Sequence, residues 1–144
     1  MESGNTENSI TDFTEAIAID DSYTDAYLDR SSLFIKKGLI DNAMDDCNKI
    51  FSLSPGNAEA YVTQSSCLIA KKNYADAVAA AEKAIQIKPQ YAKAFYNKGT
   101  ALYYLGKYDE AIMAYDTAII IDPQLKEAYY NRSGAYFAKK EYAL

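Results

Sequence analysis

Residues 92–125 read AKAFYNKGTALYYLGKYDEAIMAYDTAIIIDPQL, and the chain repeats this pattern with a period of 34 residues. Pro55, Pro89 and Pro123 mark the period. Tyr27, Tyr61, Phe95 and Tyr129 form one matching series; Ser31, Ser65, Gly99 and Ser133 form a small-residue series four places on. Phe34, Leu68, Leu102 and Tyr136 follow, then Ile40, Tyr74, Tyr108 and Tyr142. Ala43, Ala77 and Ala111 precede Cys47, Ala81 and Tyr115, and Ile50, Ala84 and Ala118 close each unit. A fixed period of this length marks an array of identical supersecondary units.

Spacing within a unit is helical. Tyr27, Ser31 and Phe34 stand at i, i+4 and i+7, and Ala43, Cys47 and Ile50 repeat that spacing on a second helix. Gly38, Lys72, Gly106 and Lys140 fall where a short turn is expected. Small residues opposite bulky ones let two antiparallel helices approach closely. Proline after the second helix ends it. Before the first unit, Ser9, Phe13, Ala16 and Asp21 keep the register. Asp21 takes the proline's place, and that corner is expected to be less rigid.

The pattern resembles the tetratricopeptide repeat family: aromatic, small, large apolar, turn, then aromatic, alanine, large, alanine and proline. The resemblance implies an all-α fold, a right-handed α-solenoid of antiparallel helix pairs in a single array over 1–144. Full repeats are expected at 24–57, 58–91 and 92–125, with the second helix of a partial repeat at 1–23 and the first helix of another at 126–144. Both ends then present a surface built for a neighbour, as in a fragment of a longer protein or an array that stacks on other copies.

The resemblance also places the first helix of each unit on a concave inner wall that holds a peptide or a partner's helix. Leu28, Val62, Tyr96 and Tyr130 form one inward series; Ile35, Ile69, Tyr103 and Phe137 form a second; Asp29, Thr63, Asn97 and Asn131 form a third. The first two are apolar or aromatic in every unit, and a soluble protein rarely leaves such a stripe uncovered. Packing against the neighbouring unit is the alternative use of the stripe. Tyrosine content rises toward the C-terminal half, which centres the expected groove on Tyr96, Tyr103, Tyr104 and Tyr130. In related arrays an inner-wall asparagine bonds the backbone of a bound peptide, which makes Asn97 and Asn131 candidates. Truncating Tyr96 and Tyr130 is expected to remove binding and leave the helices intact. The carboxylate clamp of chaperone-tail binders does not fit: its register falls on Val62, Ser66, Asn97, Glu127 and Asn131, or on Leu28, Ser32, Thr63, Lys93 and Asn97.

Composition bounds the chemistry. Net charge is −5 and the isoelectric point about 4.7, which disfavours a phosphate-binding groove and any nucleic-acid partner. The chain has no histidine, the commonest general base near neutral pH and the commonest zinc ligand. No P-loop, dinucleotide-binding glycine pattern or nucleophile elbow appears. No catalysis, metal or cofactor is therefore expected. Asp41, Asp45 and Asp46 read as favourable charge near a helix N-terminus. Cys47 and Cys67 read as buried, reduced thiols. With no apolar run long enough to span a bilayer and no secretory signal, the expected location is cytoplasmic, away from membranes. The expected function is a non-catalytic protein–protein interaction module. The alternatives are a scaffold that self-associates head to tail through its ends, and the docking part of a larger enzyme.

Overall fold

The computed structural model describes the backbone of residues 2–142 and the side chains of residues 5–140. Its elements are α1 (Glu2–Ile19), α2 (Thr24–Lys36), α3 (Ile40–Leu53), α4 (Ala58–Ala70), α5 (Tyr74–Ile87), α6 (Ala92–Tyr104), α7 (Tyr108–Ile121) and α8 (Lys126–Tyr142). Each helix packs on the next, and α2, α4, α6 and α8 also touch in succession. This is the all-α solenoid the period predicts. The Tyr142 side chain lies outside the described residues.

The turn series acts through backbone conformation. Gly38 and Gly106 sit at φ 75° and 77°, and Lys72 takes the same left-handed conformation at φ 61°. The Leu39, Asn73 and Lys107 N–H groups then close each helix on the carbonyls of Phe34, Leu68 and Leu102, at 2.8, 2.8 and 3.0 Å. A Cβ at Gly38 or Gly106 would meet nothing within 4 Å, so glycine is favoured there by conformation alone. Lys72→Gly is accordingly expected to raise unfolding free energy by about 0.5–1 kcal/mol, and Gly106→Ala to lower it by a similar amount, both read from urea midpoints. Lys140 departs from its series, because α8 continues as helix through that position.

At the first corner the Asp20 carboxylate accepts the Ser22 N–H and O–H at 3.0 and 2.6 Å. Asp21 pairs with Lys49 at 3.3 Å. Side-chain bonds thus hold the corner that lacks proline.

Apolar registry fills the core. Ala43, Ala77, Ala111, Cys47, Ala81, Ile50, Ala84 and Ala118 are fully buried. The small-residue series works by contact: a Cβ at Gly99 would stand 2.7 Å from Tyr115 Cε1. Ser65 Oγ donates to the Ala77 carbonyl at 2.8 Å, tying α4 to α5. Both cysteines are free and buried. Burial pushes the Cys47 thiol up to about 12 and the Cys67 thiol up to about 11, which suppresses the reactive thiolate.

One expectation is corrected. Asp46 is not a solvated first-turn carboxylate; it is buried and takes both arms of the Arg30 guanidinium at 3.0 and 2.6 Å. Asp41 pairs with Lys71 of the next unit. Asp45 is exposed.

Candidate functional site

The inner wall is the seam where α2, α4, α6 and α8 meet, and its width is set by two residues of each helix. Between α4 and α6 the facing pair is Val62 and Ser66. Asn97 Nδ2 donates to the Val62 carbonyl at 3.0 Å and to Ser66 Oγ at 2.9 Å. An amide reaching main chain requires close approach, and a slim residue pair permits it. Between α6 and α8 the same positions hold Tyr96 and Thr100. Asn131 Nδ2 now meets side chains, the Tyr96 hydroxyl at 3.1 Å and Thr100 Oγ1 at 3.4 Å. The bulkier pair stands α8 off from α6.

The gap so formed is a cleft of about 530 Å³, lined by Thr100, Tyr103, Tyr104, Tyr115, Tyr130, Asn131, Ser133, Gly134 and Phe137. Tyr130 and Phe137 are 82% and 69% exposed, one turn to either side of Gly134. A Cβ at Gly134 would meet nothing within 4 Å, so the cleft floor is open there. The opposite wall is built from stacked rings. Tyr104 stacks on Tyr74 with centroids 4.8 Å apart and interplanar angle 11°. Tyr103 meets Tyr104 edge-on at 5.5 Å and Tyr108 at 5.6 Å. Tyr74 and Tyr108 therefore fix the rings that face the cleft.

At the floor, Tyr115 donates its hydroxyl to Thr100 Oγ1 at 3.2 Å, and Thr100 donates to the Tyr96 carbonyl at 3.0 Å. Burial pushes the Tyr115 hydroxyl up to about 12, so it stays neutral. No ionisable acid or base other than tyrosine lines the cleft.

The sequence-predicted residues thus separate. Tyr103, Tyr104, Tyr130, Asn131 and Phe137 come together at the cleft. Tyr96 lies half-buried behind Asn131. Val62, Thr63 and Asn97 do not form an open groove wall: they are 8%, 8% and 6% exposed. Neighbouring first helices close over them, Thr63 Oγ1 donates to the Glu59 carbonyl at 3.0 Å, and the Asn97 amide is engaged in the seam. Ile69 is half-buried outside the cleft. Because Tyr96 supports the Asn131 network, its truncation would disturb the wall as well as any bound partner. Thr100, Ser133 and Gly134 went unread, although Gly134 stands at i+4 from Tyr130 and i−3 from Phe137.

A solenoid of helical hairpins with an open inner wall defines a class of repeat protein built for protein interaction. A tetratricopeptide repeat model matches residues 92–125, and a second matches 24–57 and 58–91. The chain belongs to the tetratricopeptide repeat family. Its fold is similar to that of TTC0263, a thermophilic repeat protein of Thermus thermophilus, at 18% identity, TM-score 0.85, covering 94% of this chain and 75% of that one. MamA is similar at 27% identity and TM-score 0.78, covering 96% and 81%. The second repeat domain of human RPAP3, solved with the HSP70 peptide SGPTIEEVD, is similar at 26% identity and TM-score 0.69, covering 76% and 92%. No curated protein has a significant sequence match to the chain. No helix among the described residues is long and apolar enough to cross a membrane, and no group of three or more potential metal ligands occurs among them.

Proposed function

We propose that the chain is a non-catalytic interaction module, working in the cytoplasm, that holds an extended peptide in the cleft between α6 and α8. The observation that carries this reading is the pair Tyr130 and Phe137, highly exposed beside the open floor at Gly134. Large rings with few rotors gain much contact area at little entropic cost. Thr100, Asn131 and Ser133 add polar groups that can orient a peptide backbone. The peptide complex of the RPAP3 domain supports the use of this wall for a peptide.

The test fills the cleft without touching its walls. Gly134→Leu places a side chain in the open floor and removes a glycine from a helix interior. Stability is expected to rise by about 0.5–1 kcal/mol, while binding of random dodecapeptides selected on the unaltered chain falls at least tenfold. Binding left unchanged by a correctly folded Gly134→Leu chain overturns the assignment.

A second reading, self-association through α8, is favoured by Tyr129 and Tyr136, which are 42% and 53% exposed on the face that α6 uses to hold α7. Sedimentation of the chain across a concentration series separates the two.

A further inference from the structure

Resting on the peptide reading of the cleft, we infer that the preferred peptide is basic: an apolar or aromatic anchor residue with lysine or arginine beside it. The anchor follows from the cleft, whose rings and lack of formal charge accept an uncharged side chain. The flanking charge follows from the rim. Residues at i−3 and i−4 share a helix face, so the stripe through Tyr130 and Asn131 leads back to Glu127. The same position holds Glu59 on α4 and Asp25 on α2, and Asp29 joins the stripe one turn further on. All four carboxylates are exposed. None makes an ion pair among the described residues.

That contrasts with the carboxylates on the second helices. Asp41, Asp46, Glu82, Asp109, Glu110 and Asp116 each have a lysine or arginine partner. Lys36 and Lys93 lie on the inner stripe too, but they offset only half of its acidic charge. A basic peptide would complete the pairing, whereas an acidic tail would meet Glu127 beside the cleft.

The test pans a phage library of random dodecapeptides on the chain and counts only peptides lost on Gly134→Leu. The expected winners carry one aromatic or large aliphatic residue with lysine or arginine within a few positions. Their affinity is expected to fall roughly three- to tenfold between low and high salt. Asp29→Asn, Glu59→Gln and Glu127→Gln together should erase the basic bias and keep the anchor. Winners that are neutral or acidic outside the anchor overturn the inference and leave the cleft standing, as does a bias unchanged in the triple variant. No enrichment sensitive to Gly134→Leu overturns the peptide reading itself. Self-association abolished by Gly134→Leu assigns the cleft to a second copy and overturns both.

Discussion

Asp46→Ala is expected to lower unfolding free energy by about 3–5 kcal/mol, because it leaves the Arg30 guanidinium buried without its counter-charge. The Asp46 and Arg30 side chains are 5% and 15% exposed, and the pair is bidentate. Hydrogen bonding to Asp46 holds the Arg30 guanidinium above its ordinary range, against the opposing effect of burial. Arg30 also donates to Thr14 of α1 at 3.0 Å and stands 5.5 Å from the ring centroids of Tyr27 and Phe34. One side chain thus ties α1, α2 and α3 together. Arg30→Met with Asp46→Leu, which removes both charges, is expected to recover most of the loss. Urea unfolding followed by circular dichroism reads both variants. In a repeat array the loss should show first as fraying of α1–α3. A cost under about 1 kcal/mol would mean that Arg30 finds water or another partner.

Tyr115→Ala is expected to cost a similar amount, about 3–5 kcal/mol, by the different route of cavity formation. Tyr115 is 1% exposed and fits against Gly99, where even a Cβ would clash. Its ring belongs to the largest core cluster, with Leu102, Ile112 and Ala135. The variant should also weaken peptide binding, since the hydroxyl helps form the cleft floor through Thr100. Tyr115→Phe separates the two effects. It keeps the ring and is expected to cost about 1 kcal/mol. Gly99→Leu, the inverse change, should destabilise by overpacking the same contact.

The packing of each hairpin was legible in sequence, because it follows a local periodicity. The alanine series, the small residues at Ser31, Ser65 and Gly99, and the turn glycines all sit where their spacing requires. Contacts between hairpins were less legible. The series Asp29, Thr63, Asn97 and Asn131 holds one register, yet Asn97 is buried in a closed seam and Asn131 lines an open cleft. The difference lies in the residues each asparagine faces, Val62 and Ser66 or Tyr96 and Thr100. Periodicity assigns a residue to a face and leaves open how far the next helix stands away. The Arg30–Asp46 pair was hidden for a related reason: Asp46 lies beside Asp41 and Asp45, and adjacent carboxylates look alike until burial distinguishes them.

Amide NMR of the isotope-labelled chain, titrated with a peptide selected on it, tests the central claim most directly. Shifts are expected at Thr100, Tyr103, Tyr104, Tyr130, Asn131, Gly134 and Phe137, with the seam around Val62 and Asn97 little changed. Shifts confined to the exposed Met113 and Ile120 of α7, or to Tyr129 and Tyr136, would place the peptide elsewhere and contradict the account.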